Sequence, residues 1–255
     1  MVEEQIMKVG AYVIGSELVQ GKRRDQHREH CIDALGRRRL GLSWCEVVGD
    51  SPEVLTRMLR QSMETEDVVF SFGGLGSTPR DHTRACAARA AGVKLVRNEA
   101  AAKAIESQFG KDAYPDRIRM ADLPQGCSII PNPVNRCPGF SLGDHHFLPA
   151  FPDMAWPMME WVLDKRYSPE SLRGKAVEYL IHTHDTREND LLDLMEALVD
   201  RFPEVHLSSM PQFGDQGTEV QFGVRGSERE VRSGMQWLTG ELNARGYRWE
   251  AMREN

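Results

Sequence analysis

A chain of 255 residues with 40% hydrophobic and 27% charged residues has the composition of an ordinary soluble globular protein, long enough for one large domain or two modest ones. Its net charge of -6 argues against general binding to nucleic acid or to anionic membranes. The 5 cysteines, at 31, 45, 86, 127 and 137, form no C-x-x-C pair, so zinc and a disulfide framework are not expected and free thiols in a reducing cytoplasm are. No apolar run approaches the roughly 20 residues that cross a bilayer, and residues 1–8 lack the apolar centre of a signal peptide, so the expected location is cytoplasmic, without membrane attachment.

In chain order, Ile6 to Ile14 reads as a glycine-containing apolar strand ending at Gly15-Ser-Glu-Leu-Val-Gln-Gly21. Asp25 opens a helix with His27, Cys31, Ala34 and Leu35 near one face, Arg37 to Arg39 in the last turn and Gly41 beyond it. Leu42 to Val48 is a second strand. Ser51 then caps a helix with Pro52 in its first turn and Leu55, Met58 and Leu59 on its core face. Val68 to Phe72, apolar, β-branched and aromatic between Asp67 and a glycine pair, is a third strand. This alternation predicts an α/β fold with a parallel sheet covered by helices on both faces.

After that third strand the chain passes through Gly73, Gly74 and Gly76 to Ser77-Thr78-Pro79, and a helix continues from Arg84 to Ala91. A strand, a glycine turn and a helix start gather backbone N–H groups around one point, which suits an anion, most often a phosphate. No Lys-Ser/Thr follows the glycines and the spacing is not G-x-G-x-x-G, so neither a P-loop nor a dinucleotide fingerprint is present. The same residues also read as a helix start, with Thr78 as N-cap, Pro79 in the first helical position and Asp81 completing a capping box. Capping leaves the three glycines unexplained. Because Gly15 to Gly21 and Gly73 to Asp81 both follow strand ends, one crevice beyond the sheet is expected to hold both.

Further on, Asn98 to Phe109 is a helix and Asp116 to Ala121 a further turn, followed by Leu123-Pro-Gln-Gly126. Residues 129–133 and 138–140 read as short strands or tight loops, with prolines that keep them from a central ladder position. His146 to Leu148 is a brief strand, and Met154 to Lys165 a helix whose Met154, Met158, Met159 and Trp161 belong to a core. Past 166–174 the texture changes to strand 176–182, helix 188–201, strands 205–209 and 218–224, helix 228–245 and an edge strand at 247–252. That order predicts a small α+β domain, so the expected division is 1–168 and 169–255. His145-His146 and the pair His182/His184 lack companion ligands at metal-site spacing, and the second pair reads as a surface pair on one strand face. Without Gly-x-Ser-x-Gly or a cysteine in a nucleophile context, covalent catalysis has little support.

Four stretches carry a family resemblance. Gly73-Gly-Leu-Gly-Ser-Thr-Pro-Arg-Asp-His-Thr83 resembles the G-G-[TL]-G-x-T-x-x-D-x-T signature of the molybdopterin-binding domain shared by MoaB, MoeA and CinA-type proteins. Gly15-Ser-Glu-Leu with Gly21 and Asp25 is similar to the CinA-type G-[DS]-E-L-L-x-G-x-x-x-[DN]-T-N. Pro131-Asn-Pro-Val with Pro138-Gly-Phe140 resembles P-N-P-x-G-x-A-P-G-F, and Leu148-Pro-Ala-Phe-Pro-Asp-Met154 resembles L-P-G-x-P-x-E-M. The ordered set covers roughly residues 6 to 165.

The resemblance implies a three-layer αβα domain with a mostly parallel sheet, followed by a small domain of KH-like order. It implies a small phosphate-bearing ligand, molybdopterin or an adenine nucleotide, and a homo-oligomer. Chemistry differs across the family: relatives bind or adenylylate molybdopterin, insert molybdate, or hydrolyse a dinucleotide pyrophosphate such as ADP-ribose or FAD with Mg²⁺, often helped by K⁺. Carried over to this chain, Gly73, Gly74, Leu75, Gly76, Ser77, Thr78 and Arg80, with Gly15 and Ser16, would hold the ligand. Asp81, Asp25 and Glu17 would hold Mg²⁺, with Asp81 and Asp25 as the catalytic pair.

Each acid also has a plainer reading, Asp25 at a helix start complementing the dipole and Glu17 solvated on its loop. Arg80 stands where the CinA-type pattern has the first of two aspartates, which removes a possible metal ligand and adds a phosphate-pairing cation. His27 replaces Asn, Asn135 replaces Gly and Ala150 replaces the loop Gly. These departures weaken the hydrolase expectation and support an alternative, a non-catalytic binder or carrier. Lys22-Arg23-Arg24 adjoins the expected crevice and would steer phosphates. RNA is not expected, since Gly214-Asp-Gln-Gly217 carries an acid where a KH loop is basic and falls between two strands.

Overall fold

The computed structural model describes residues 7–38, 40–167, 176–214 and 217–252 and separates them into two compact units, the first holding the described residues up to Tyr167 and the second those from Ala176 onward. The boundary expected after residue 168 lies outside the described residues, as do Ile6, Arg39, the 168–174 stretch and residues 215–216 of the expected loop.

The first unit is built on a six-stranded sheet. Its strands are β1 (Val9–Ile14), β2 (Leu42–Val48) and β3 (Val68–Phe72), with β6 (Ser128–Ile130), β7 (Gly139–Leu142) and β8 (His145–Leu148), in the order β2-β1-β3-β8-β7-β6. The first four run parallel and the last two join antiparallel. Val13 pairs with Val47 and Phe72, and Phe72 with Leu148, so the parallel strands end level. Loops starting at Gly15, Gly49, Gly73 and Pro149 therefore leave from one edge. The chain turns from β1 to β2 on one side and then crosses to β3 on the other, which makes the gap between β1 and β3 a topological switch point, where α/β sheets collect ligands.

Both faces are covered, as the strand pattern requires. Val9, Ala11, Val68, Phe70 and Phe72 form one core with α2 (His27–Gly36) and α6 (Pro152–Arg166). Tyr12, Ile14, Val69, Phe140 and Phe147 form the other with α3 (Pro52–Met63), α4 (Thr83–Ala90) and α5 (Glu99–Phe109). Alternate side chains of a strand point to opposite faces, so the apolar runs in β1 and β3 feed both layers. The expected cap forms at α3, where Ser51 Oγ accepts from the Val54 N–H, and α5 carries a cap not singled out in the sequence, where Asn98 Oδ1 accepts from the Ala101 N–H. A short helix, α1 (Ser16–Val19), follows β1.

Two local expectations are corrected. Thr78 does not cap α4 and Pro79 is not in it, because the helix starts at Thr83. The Thr78–Asp81 side-chain bonds form, but around a turn, and the chain becomes helical where Thr83 is tied back to the glycines. Leu123 and Pro124, given no element in the sequence reading, belong to β5 (Asp122–Pro124), which pairs antiparallel with an unanticipated β4 (Leu95–Arg97).

His145 and His146 are core residues. The Ser62 hydroxyl donates to the Leu59 carbonyl, so its oxygen accepts the Nε2–H of His145 at 2.8 Å. The Tyr167 hydroxyl donates to Asp144 Oδ1 (2.9 Å), so its oxygen accepts the Nε2–H of His146 (2.8 Å), and His146 Nδ1 accepts from Ser141 (2.8 Å). Burial holds both imidazoles neutral, His145 pushed down to about 4 and His146 to about 3.

The second unit has the expected α+β order: β9 (Ala176–His184), α7 (Leu192–Arg201), β10 (His206–Gly214), β11 (Gly217–Ser227), α8 (Glu228–Ala244) and β12 (Arg248–Ala251). Its four strands form an antiparallel sheet in the order β10-β11-β9-β12, with β12 at the edge. Ile181, Val220, Phe222 and Val224 pack against Leu194, Leu198, Val231, Leu238 and Leu242 of the two helices. His182 and His184 flank Glu219, with His184 Nδ1 2.9 Å and His182 Nδ1 4.0 Å from its carboxylate. Among the described residues no helix is long and apolar enough to cross a membrane.

Candidate functional site

The glycine loop after β3 is held from behind by two consecutive residues of α4. Thr83 Oγ1 donates to the Gly73 carbonyl (2.9 Å), and the Thr83 N–H donates to the Gly74 carbonyl (3.2 Å). Arg84 donates Nη2 to the Gly76 carbonyl (2.6 Å) and Nη1 to the carbonyls of Arg119 and Asp122. Burial lowers the Arg84 pKa, opposed by the charges of Asp122 and Asp81. At Gly74, φ is +69° and a Cβ would lie 2.1 Å from Thr83 Oγ1. At Gly76 a Cβ would lie 2.6 Å from Asp81 Oδ2. Glycine is therefore required at Gly74 by the turn, whereas at Gly76 a side chain would have to push the Asp81 carboxylate off Thr78.

Three loop carbonyls are thus occupied, while among the described residues the N–H groups of Gly74, Leu75, Gly76 and Ser77 have no acceptor. The Gly73 N–H differs, because it donates to the Leu148 carbonyl. Asp81 Oδ2 accepts from both the N–H (2.9 Å) and the hydroxyl (2.6 Å) of Thr78, closing the far end of the loop.

Beside this loop lies a cleft of about 410 Å³. All four sequence stretches reach it: Gly15 and Glu17 from the first, Gly74 to Asp81 from the second, Asn132 to Pro138 from the third, and Pro149 to Met154 from the fourth. Of the predicted residues, the cleft brings together Gly15, Glu17, Gly74, Leu75, Gly76, Thr78, Arg80 and Asp81. Gly73 and Ser77 sit in the loop but do not line it. Ser16 is engaged elsewhere: its N–H donates to Asp50 Oδ2 (3.3 Å) and its Oγ accepts from the Asp50 N–H (3.1 Å), joining the ends of β1 and β2. Asp25 lines a separate hollow of about 20 Å³ that Glu17 also borders. Its two oxygens accept the N–H groups of His27 (2.7 Å) and Arg28 (3.2 Å), a helix cap for α2.

Sequence reasoning missed four contributors. Asp50 lines the cleft and pairs with Arg80 Nη2 at 3.1 Å; its signal was an acid just past the end of a parallel strand. Thr83 and Arg84 shape the loop; Thr83 stands in the signature, whereas nothing in the local pattern marks Arg84. Asn132, buried, accepts from the N–H groups of Val134 and Asn135 and donates to the Cys137 carbonyl, fixing the third loop.

Among the described residues no three His, Cys, Asp or Glu side chains are grouped to hold a metal ion. Asp81, Asp25 and Glu17 do not form a ready-made ligand set. Magnesium, however, is commonly bound through one or two carboxylates together with the ligand's phosphates, and Glu17 and Asp81 on the cleft wall fit that manner of binding.

Known proteins share this architecture. The family described as "Probable molybdopterin binding domain" matches residues 10–168. A CinA-like protein of Citrifermentans bemidjiense is 30% identical over 223 residues, covering 79% of this chain and 53% of its own length. A CinA-like protein of Geobacter sulfurreducens is 34% identical over 179 residues, covering 66% of this chain and 43% of its own. The crystal structure of CinA from Thermoplasma acidophilum, described as of unknown function, superposes with a TM-score of 0.57 at 26% identity over 62% of this chain and 97% of that one. The chain spans about half the length of the CinA-like relatives it matches.

Proposed function

This chain belongs to the family of probable molybdopterin binding domains, and we propose that its cleft binds a small phosphorylated ligand, molybdopterin or an adenine nucleotide, on the glycine loop. One observation carries the reading. The loop's carbonyls are turned onto Thr83 and Arg84 while four successive N–H groups, from Gly74 to Ser77, are left without acceptors among the described residues. Such a set of donors, stripped of nearby carbonyl dipoles, favours an anion. Arg80 is 73% exposed at its side chain and pairs only at the surface with Asp50, so it can turn to a phosphate with little loss. Magnesium, held by Glu17 and Asp81 together with the phosphates, would neutralise ligand charge.

A hydrolytic reading, cleavage of a dinucleotide pyrophosphate, draws on Glu17, Asp50 and Asp81 lining the same cleft as the donors. Calorimetric titration with molybdopterin, AMP and ADP-ribose tests binding, and chromatography after incubation of ADP-ribose or FAD with Mg²⁺ or Co²⁺ tests turnover. Saturable binding without AMP release decides for a binder. AMP release that depends on the metal decides for the hydrolase, and no binding of any of the three refutes the cradle.

A further inference from the structure

Phe151 is an aromatic side chain left 55% exposed, yet it lines the cleft wall instead of standing on an open surface. An isolated exposed apolar residue is ordinary, but the backbone that carries this one is held from several sides. Pro149 and Pro152 flank it, its backbone is extended (φ -94°, ψ 122°), and its carbonyl accepts from the N–H groups of Met154 and Ala155 at the start of α6. The preceding carbonyl, of Ala150, accepts from His27 Nε2 at 3.1 Å. His27 is itself 5% exposed, stacked on Phe72 with ring centroids 4.4 Å apart, and fastened by Asp25 at its backbone. Two departures from the family pattern, His27 and Ala150, therefore touch each other and set the backbone from which Phe151 projects. The Arg23 guanidinium lies 6.0 Å from the Phe151 ring centroid. Met120, Pro138 and Met154 add apolar surface to the same cleft.

We propose that Phe151 is the platform on which the cleft stacks a flat heteroaromatic ring, a purine or pterin attached to the phosphate on the glycine loop, on the face opposite the one the Arg23 guanidinium lies over, with His27 as a positioning residue. This rests on the phosphate-cradle reading. A ring has a large π-face to bury, and an aromatic with few rotatable bonds on a fixed backbone offers it with little ordering cost. The ring-less sugar phosphate would use the glycine loop alone.

The test compares AMP, a pterin phosphate and ribose 5-phosphate by calorimetry on the full chain, for the wild type and the variants Phe151→Ala, Phe151→Trp and His27→Asn, with thermal melts as the check on folding. Stacking contributions of this kind predict that Phe151→Ala weakens the ring-bearing ligand by roughly tenfold or more, leaves ribose 5-phosphate unchanged, and is restored by Phe151→Trp. His27→Asn is expected to lower affinity for the ring-bearing ligand and not for ribose 5-phosphate. Whichever of AMP and the pterin phosphate binds more tightly identifies the ring. If wild type binds a ring-bearing ligand and Phe151→Ala alters it no more than it alters ribose 5-phosphate, the platform is overturned while the cradle stands. If wild type binds none of the three, the cradle falls and the platform with it.

Discussion

Acid should unfold the first unit through two buried histidines. His145 and His146 sit at the start of β8 with their imidazoles neutral, at about 4 and about 3, against an ordinary value near 6.5 in the unfolded chain. Because the folded values lie below the unfolded ones, neither group affects stability near pH 7. As the pH falls below about 6.5 the unfolded chain takes up protons that the native one refuses, so stability drops. Between about pH 6 and pH 4 the two together remove up to ~3 kcal/mol per pH unit, and by about pH 4.5 the loss is on the order of 5 kcal/mol. That is on the order of a small domain's whole stability of roughly 5–15 kcal/mol. His27 and His30, also lowered by burial, act in the same direction. Urea unfolding followed over this range measures the slope, and His145→Gln should reduce it whatever that variant does at neutral pH. An unfolding free energy that stays flat down to pH 4.5 refutes the reasoning. So does a native-state NMR titration in which both imidazoles protonate near their ordinary value.

Thr83→Val keeps shape but leaves the buried Gly73 carbonyl without its donor, so a loss of about 1–3 kcal/mol in chemical denaturation is expected together with weaker ligand binding, with Thr83→Ser restoring both. Arg80→Ala breaks only an exposed pair, so the melting temperature should hold while calorimetric affinity for the phosphate ligand falls and its salt dependence shrinks. Asp25→Ala should behave as loss of a helix cap, costing ~1 kcal/mol in thermal or urea unfolding with metal-dependent behaviour unchanged; abolished Mg²⁺ dependence would instead make Asp25 a ligand.

Much of the architecture was legible because it follows from local rules. Apolar runs in β1 and β3 announced buried strands, and Ser51-Pro52 marked a helix start by a hydrogen bond that reaches only three residues. The glycine run announced a tight turn for the same reason. The capping box at Thr78 shows where local rules stop. The Asp81 carboxylate accepts the Thr78 N–H as the pattern promised, but the Asp81 N–H goes to the Thr78 carbonyl and not to its hydroxyl, and the helix begins at Thr83, because the Thr83 hydroxyl and N–H are drawn to the carbonyls of the preceding turn. The site's further supports join residues far apart in the chain: Ser16 with Asp50, Arg84 with the carbonyls of Arg119 and Asp122, His27 with the carbonyl of Ala150. None of these pairs has a spacing that any helix or strand period would mark, since the partners are delivered by separate elements far apart in the chain. The residue types and the crevice were therefore visible in the letters, whereas the partners that shape the crevice were chosen when the strands came into register.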